Sequence, residues 1–172
     1  MSLSLYDVVQ PLLVQHLSNL SRLLEKLQAH TASSPEQDEH ILSARLAPDM
    51  FDLRRQIQIA TDHAKGTMAR LAGSELPSYP DTEKTVAELQ ARLQRTQDFV
   101  LSFTRPAFDG AEDRNVQMIY PWATYDFTGL RFVHYWAIPN FMFHVNMAYA
   151  ILRQQGVAVG KADYLGPNHE SA

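Results

Sequence analysis

Two polar side chains interrupt the apolar face of the last long hydrophobic segment, and their spacing suits a shared ion or ligand. Asn140 and His144 are four residues apart, so on a helix they project from one face. His16 interrupts a similar apolar stripe near the N-terminus. A buried polar side chain costs about 1–3 kcal/mol unless it finds a partner. We therefore expect these three groups to meet each other, water or a ligand in a polar pocket.

The remaining histidines give weaker signals. His63 lies about a right angle from the centre of its helical stripe, and Asp62 lies farther out, so periodicity alone does not direct either residue inward. His134 is about 15 Å along a helix from His144, too far to share one ion. Three others fall in predicted links or the tail, where we expect them to be solvated: His30, His40 and His169. A histidine on an apolar face is more often a core residue than a ligand, so a metal is not established by the pattern.

Composition excludes several kinds of chemistry. The 172 residues include no cysteine, which removes thiolate nucleophiles, iron–sulfur clusters, cysteine zinc sites and disulfides. Fifteen Lys and Arg against nineteen Asp and Glu give a net charge of −4 without a basic run, so nucleic acid is not an expected partner. There is no glycine-rich phosphate loop and no serine elbow. Five basic residues in or just before the second predicted helix are interpreted as a solvated face: Arg45, Arg54, Arg55, Lys65 and Arg70.

Four segments have apolar residues at helical spacing, and they must position these polar groups. We expect helices at about 5–27, 49–72, 81–103 and 128–153, with a polar, irregular link before the second. Alternation at 115–120 and a return at 125–127 predict a small β-hairpin. Pro139 should bend the last helix or open a backbone bond. The prediction is an all-α four-helix bundle with a β-hairpin inserted between helices three and four.

Length and targeting signals indicate one cytoplasmic domain. We assign residues 1–160 to a single domain and 161–172 to a partly loose tail, in which Tyr164 and Leu165 could dock. The N-terminus lacks the basic region of a secretory signal. The stretch 132–152 has no charged residue, but its histidines and asparagines would be costly in a bilayer, so we interpret it as a buried helix and expect no membrane association.

The second half of the chain is unusually aromatic. Its rings are Trp122, Tyr125, Phe127, Tyr135, Trp136, Phe141, Phe143 and Tyr149. Core and hairpin packing is the simpler explanation. The alternatives are an aromatic wall around a ligand pocket or a dimer face.

Several segments together resemble a known family. They are Leu46-Ala47-Pro48-Asp49-Met50-Phe51, Gln58-Ile59-Ala60-Thr61-Asp62-His63-Ala64-Lys65-Gly66, Arg70-Leu71-Ala72-Gly73, Thr128-Gly129-Leu130, Pro139-Asn140-Phe141-Met142-Phe143-His144 and Ala148-Tyr149-Ala150-Ile151-Leu152-Arg153. The chain resembles an uncharacterised bacterial family of unknown function within the DinB/YfiT-like superfamily of metalloenzymes. The resemblance covers nearly the whole chain and implies a DinB-like four-helix bundle, often a homodimer, in the bacterial cytoplasm.

The resemblance also implies a site. Superfamily members hold a divalent metal, commonly nickel or zinc, with one histidine on helix two and a His-x-x-x-His pair on helix four. Aligned through the ending Leu152 to Val157, the pair falls on Asn140 and His144, and the helix-two ligand falls near Asp62 or His63. Asparagine is a poorer zinc or nickel ligand than imidazole, so this chain departs from the pattern at one position.

Two functional hypotheses follow. The first is a divalent-metal-dependent transferase or hydrolase acting on a small substrate. Its metal, zinc or nickel, would be held by His144, Asn140 and His63 or Asp62, and His16 would orient a ligand or carry a proton. The second is a bundle that has lost its metal and works as a small-ligand binder or dimeric scaffold, in which Asn140 and His144 bond each other, water or a ligand.

Overall fold

Most of the chain is helical. The computed structural model describes residues 3–32, 34 and 36–167. The helices are α1 (Leu5–Thr31), α2 (Glu36–Leu42), α3 (Leu53–Ala72), α4 (Val86–Leu101), α5 (Gly129–Phe132), α6 (Ile138–Gln154) and α7 (Lys161–Leu165). A 3-10 turn spans Arg105–Phe108, and strands β1 (Asn115–Tyr120) and β2 (Ala123–Thr128) form an antiparallel pair. The fold is therefore mainly helical, with a two-stranded sheet between α4 and α5.

The long helices share one hydrophobic core. Helix α1 packs against α4 and α6, and α3 packs against the same two helices. Their apolar stripes supply most of the buried side chains, including the fully buried Leu17, Leu24, Ile57 and Phe141. The helical spacing of these residues is what places them on one face of each helix. This packing brings α3 and α6 side by side.

Helices α3 and α4 begin later than the apolar pattern predicts. Helix α3 starts at Leu53 because Asp52, rather than Asp49, accepts a hydrogen bond from the backbone N–H of Arg55. Helix α4 starts at Val86, where Thr85 and Glu88 form a capping box, rather than at 81–82. The predicted starts at 49 and 81 are therefore wrong. In each helix a later residue, Asp52 or Thr85, is the N-cap.

The link between the first two predicted helices contains an additional helix. Helix α1 continues to Thr31 instead of ending near residue 27, and α2 occupies part of the segment expected to be irregular. Ile41 and Leu42, at the end of α2, are buried in the core. Two apolar residues in a polar segment are too few to give a periodic signal. Helix α2 is therefore stabilised by burial of these residues against the core, which the sequence pattern does not show.

The hairpin is confirmed, and the helix after it is irregular before Pro139. β1 and β2 pair from Asn115 with Thr128 to Tyr120 with Ala123. Residues Val133–Ala137 form a π-helical turn, in which the N–H of Ile138 donates to the carbonyl of Val133. Proline has no backbone N–H and cannot donate the next helical hydrogen bond. The π-helical turn therefore lies just before Pro139, where the sequence predicted an interruption of the helix. The hairpin lies over this turn, where the rings of Tyr125 and Trp136 are 4.7 Å apart.

The segment predicted as a loose tail is described as far as residue 167. Residues 161–165 form α7, which packs against α1. Gln15 Nε2 donates to the carbonyl of Leu165 at 2.6 Å, and Asn19 Nδ2 donates to that of Tyr164 at 2.7 Å. His169 and its neighbours lie outside the described residues. Over the described part of the chain, no helix combines the length and apolar character needed to cross a bilayer.

Candidate functional site

A cavity of about 480 Å³ lies between α3, the π-helical turn with α6, and the hairpin. Its aromatic lining consists of Phe51, Tyr120, Trp122, Phe132 and Trp136. Its polar lining consists of Arg55, Asp62, His63, Lys65, Arg70 and His144. The volume falls in the range of cavities that bind small molecules, and an aromatic wall with a few convergent polar groups is typical of such sites.

Two histidines meet in this cavity. The rings of His63 on α3 and His144 on α6 are stacked, with centroids 5.6 Å apart and planes 16° from parallel. The periodicity of α3 left His63 at the edge of its stripe, but the close packing of α3 on α6 brings the two rings together. Of the residues predicted for the site, these two form the pair that the structure places in direct contact.

Gln56 determines which nitrogen of His144 carries the proton. Gln56 Nε2 donates to the carbonyl of Phe51 at 3.1 Å, which turns Gln56 Oε1 toward the imidazole. Oε1 lies 2.7 Å from His144 Nδ1 in a buried contact. An amide oxygen only accepts, so the hydrogen-bond network assigns the proton to Nδ1 and leaves Nε2 with a lone pair. His144 is thus held in one orientation and one tautomer.

Both histidines are neutral at pH 7. Burial, the neighbouring His144 ring and Arg70 lower the pKa of His63 to about 4. Burial and the charge of Arg55 lower the pKa of His144 to about 4 as well. Desolvation and nearby positive charge both disfavour the imidazolium form. The pair therefore offers uncharged imidazoles that can accept or donate hydrogen bonds.

Asn140 is engaged within its own helix. Its Nδ2 donates to the carbonyl of Trp136 at 2.7 Å, inside the π-helical turn that precedes Pro139. A side-chain amide at this position supplies a donor to a stretch of backbone whose regular bonding is interrupted. The amide thus stabilises the irregular backbone at the start of α6. Although Asn140 and His144 are four residues apart, no hydrogen bond between them is present among the described residues.

Asp62 lines the cavity, but its carboxylate binds two cations. Asp62 Oδ1 lies 2.9 Å from Lys65 Nζ and 2.9 Å from Arg92 Nη2. Arg92 is buried and also binds Asp81, Glu83 and the hydroxyl of Thr61. The charge of Asp62 is therefore already neutralised by this network, which ties α3 to α4 and to the preceding loop.

His16 lies apart from the cavity. Its ring is 6.4 Å from that of Phe141 and 5.3 Å from that of Tyr164, and it does not line the space around His144. Its Nδ1 is buried without a hydrogen-bond partner among the described residues, and burial lowers its pKa. The structure thus places His16 between α1, α6 and α7, away from the groups it was expected to assist.

The basic residues of α3 are more buried than the sequence suggested. Lys65 is only 6% exposed, and Arg55 and Arg70 line the cavity, so the interpretation of a wholly solvated face is wrong for these three. Arg70 and Gln56 were missed as site residues. Gln56, His63 and Arg70 are spaced by seven, which is two helical turns, and this repeat could have placed all three on one face.

The donor set differs from the one that the resemblance implies. Among residues 3–32, 34 and 36–167, no group of three or more His, Asp or Glu side chains is arranged to hold a metal ion. His63 and His144 lie together, while the amide of Asn140 and the carboxylate of Asp62 have other partners. Arg55 and Arg70, which also line the cavity, add positive charge beside the imidazoles.

Comparisons with known proteins identify the family. A family model described as a domain of unknown function, DUF1993, matches residues 5–165. A crystal structure of a DinB family member protein from Shewanella denitrificans is 38% identical in sequence, covering 98% of this chain and 95% of that chain, with a TM-score of 0.88. No curated protein matches the chain. The chain therefore belongs to the DUF1993 family of domains of unknown function, and its fold is similar to that of a DinB family member.

Proposed function

We propose that this protein is a DinB-like four-helix bundle that binds a small molecule in the cavity around His63 and His144, without a resident divalent metal. The observation that carries the proposal is the pair of stacked, neutral imidazoles, one fixed by Gln56, inside an aromatic cavity of about 480 Å³. A fixed imidazole with a free lone pair suits hydrogen bonding to a bound ligand.

The partners of the other predicted ligands support a metal-free site. The Asn140 amide supports the backbone before Pro139, and the Asp62 carboxylate neutralises Lys65 and Arg92. Moving the Asn140 amide to a metal would take a donor from the carbonyl of Trp136, and moving the Asp62 carboxylate would take a partner from Lys65 and Arg92, and both changes cost free energy. The positive charges of Arg55 and Arg70 would also oppose a dication between the histidines.

A small-molecule screen tests binding in this cavity. Both tryptophans of the chain, Trp122 and Trp136, line it, so tryptophan emission responds to a ligand in the cavity. Trp122 is also 74% exposed, so a variant with a smaller cavity is needed to separate binding in the cavity from binding at the adjoining surface. Ile59, also in the lining, can be enlarged to phenylalanine to reduce the space, with Ile119→Phe on the exposed face of β1 as the matched control. We expect the screen to find ligands that change the tryptophan emission of the wild type and of Ile119→Phe but not that of Ile59→Phe. Ligands that bind all three alike would contradict the proposal, as would a screen in which no compound changes the emission.

A metal-dependent transferase or hydrolase is the second candidate. The observation that favours it is the hydrogen bond from His144 Nδ1 to Gln56, because metal-binding histidines are commonly oriented in this way by a partner on the other ring nitrogen. His63 and His144 would hold the ion, which would activate a substrate carbonyl or lower the pKa of a bound water. Metal analysis of the purified protein separates the two candidates.

The homodimer implied by the resemblance is retained as a proposal. Several large apolar side chains are exposed in or near the hairpin and α6: Ile119, Trp122, Leu130, Tyr135 and Phe143. Exposed apolar side chains in one part of a surface are typical of contact sites. We expect sedimentation analysis to give a dimer that Phe143→Glu weakens, and a monomer at all concentrations would contradict it.

A further inference from the structure

Arg70 extends into the cavity from the same helix face as His63. Its guanidinium lies against the backbone at Gly66, one turn earlier, where an added Cβ would collide with Arg70 Nη1. Glycine inside a helix costs about 0.5–1 kcal/mol relative to alanine. At this position the glycine leaves the space that the guanidinium occupies, and the arginine is thereby directed to the cavity wall.

The positive charge of Arg70 has no counter-charge among the residues that the structure describes. Among the described residues, no carboxylate lies within ion-pair distance of Arg70 and no acceptor hydrogen-bonds to it. The neighbouring cations are different, since Lys65 binds Asp62 and Arg55 binds Asp81. Burial lowers the pKa of Arg70, with Tyr120 acting in the opposite direction. A half-buried arginine is normally paired, because removing its charge from water is costly.

The surroundings of Arg70 indicate what would pair with it. A planar guanidinium with free N–H groups matches a carboxylate, and one unpaired cation matches a monoanion. The uncharged ring of His63, which can donate or accept a hydrogen bond, lies on the same face of α3. The rings of Tyr120 and Trp122 are stacked, with centroids 5.1 Å apart, and the centroid of the Trp136 ring lies 6.1 Å from that of Tyr120. These three rings form an aromatic wall of the cavity.

We propose that the cavity binds a small aromatic carboxylate, with Arg70 as the residue that binds the anion and the Tyr120–Trp122–Trp136 wall as the surface that contacts the ring. This inference rests on the proposed small-molecule function and adds the ligand class to it. The carboxylate would accept hydrogen bonds from the guanidinium, and the ring would pack against the aromatic side chains.

Three ligands with the same ring and different charge test the inference. Benzoate, benzamide and benzylamine are titrated against the wild type, and binding is followed by the emission of Trp122 and Trp136, which both line the cavity. We expect benzoate to bind about tenfold more tightly than benzamide, because a charge-assisted hydrogen bond is worth roughly that factor in Kd. Benzylamine, which is a cation, should bind most weakly.

Two variants locate the anion-binding group. Arg70→Met should abolish the preference for benzoate over benzamide. Gly66→Ala should reduce it as well, although it changes no charge, because the new Cβ displaces the guanidinium. The displaced atom is the tip of a flexible side chain and alanine favours the helix, so Gly66→Ala should remain folded. Arg131→Met, which removes an exposed arginine that does not line the cavity, should keep the preference.

The outcomes separate the two proposals. Equal binding of benzoate and benzamide by the wild type would overturn the anion-binding role of Arg70 and leave the small-molecule function supported. A benzoate preference that survives in Arg70→Met would also overturn it. If none of the three ligands changes tryptophan emission at high millimolar concentration, the aromatic carboxylate is contradicted as the ligand class, and the small-molecule function is decided by the screen with Ile59→Phe.

Discussion

Two arginines, the buried Arg92 on α4 and the half-buried Arg70 on α3, differ in what surrounds them. Arg92 is 4% exposed, and its guanidinium contacts Thr61, Asp62, Asp81 and Glu83. Arg70 faces the cavity and binds no carboxylate among the described residues. The same side chain is thus saturated with partners in one region and unsatisfied in the other. The saturated arginine contributes to the fold, whereas the unsatisfied one is available for a ligand.

Removing Arg92 should cause the largest loss of stability. Arg92→Met leaves Asp62, Asp81 and Glu83 close together without their shared cation. Breaking a buried ion pair by removing one partner costs about 3–5 kcal/mol. Urea unfolding followed by circular dichroism measures this loss, and Arg92→Lys, which keeps the charge, should recover part of it. A loss below about 1 kcal/mol in Arg92→Met would show that the network is not structural.

Acidification should destabilise the protein through the cavity histidines. The folded-state pKa values of His63 and His144, about 4, lie below the ordinary value of 6.5, so the unfolded chain binds more protons between these values. Stability is therefore complete above pH 6.5 and falls as pH decreases toward 4. The other charged or titratable groups that line the cavity are Arg55, Asp62, Lys65, Arg70 and Tyr120. Asp62 and Lys65 form an ion pair, and Arg55 and Arg70 lower the pKa values of the histidines further.

Between about pH 7.5 and about pH 5 we expect a loss of about 2 kcal/mol for each histidine. The carboxyl groups with lowered pKa values, Asp7, Glu88 and Asp163, act mainly below their ordinary values of 3.8–4.5 and thus below this window. Thermal unfolding across the window measures the slope, with a variant carrying His63→Asn and His144→Asn as the control. A wild-type slope equal to that of this variant would contradict the assignment.

Replacing Gln56 should cause a smaller loss of stability, because only the hydrogen bonds that link Phe51, Gln56 and His144 are affected. In Gln56→Leu, the Nδ1–H of His144 and the carbonyl of Phe51 lose their described partners, which costs about 1–3 kcal/mol. Gln56→Glu retains an acceptor and should raise the pKa of His144, which histidine NMR titration measures. If His144 keeps its Nδ1 tautomer in Gln56→Leu, Gln56 does not determine it.

Replacing Arg70 should have the smallest effect on stability. Arg70→Met removes no described ion pair and relieves the burial of a charge, so the free energy of unfolding should change by about 0.5 kcal/mol or increase. The measurement is the same urea titration used for Arg92→Met, which makes the two variants a matched pair. A loss as large as that of Arg92→Met would mean that Arg70 has a structural partner and would remove the contrast between the two regions.

Elements with a sustained hydrophobic pattern or a clear sequence signal were predictable. Elements whose presence or start depends on tertiary contacts or on local capping geometry were not. The hairpin followed from alternation at 115–120, and the irregular turn before α6 followed from Pro139. Helix α2 was missed because its burial depends on Ile41 and Leu42 alone. The starts of α3 and α4 were misplaced because several Asp and Thr residues could cap each helix, and only the local geometry selects Asp52 and Thr85.

Of the residues in and beside the cavity, His63, His144 and Asp62 were named as site residues from the sequence, whereas Gln56 and Arg70 were not. His144 interrupts an apolar stripe, which is a visible signal, while His63 was assigned to the site only through the family resemblance. Gln56 and Arg70 resemble ordinary surface residues of a helix. Their burial follows from the hairpin and α6 covering that face of α3, which is a long-range contact that helical periodicity does not encode.

Metal content tests most directly whether the two histidines serve as neutral hydrogen-bonding groups. Untagged protein is analysed by plasma mass spectrometry before and after incubation with zinc and nickel, beside His63→Ala and His144→Ala. We expect bound metal far below one equivalent in the wild type, with no difference from either variant. Close to one equivalent in the wild type, lost in both variants, would contradict the metal-free site and support the metal-dependent candidate.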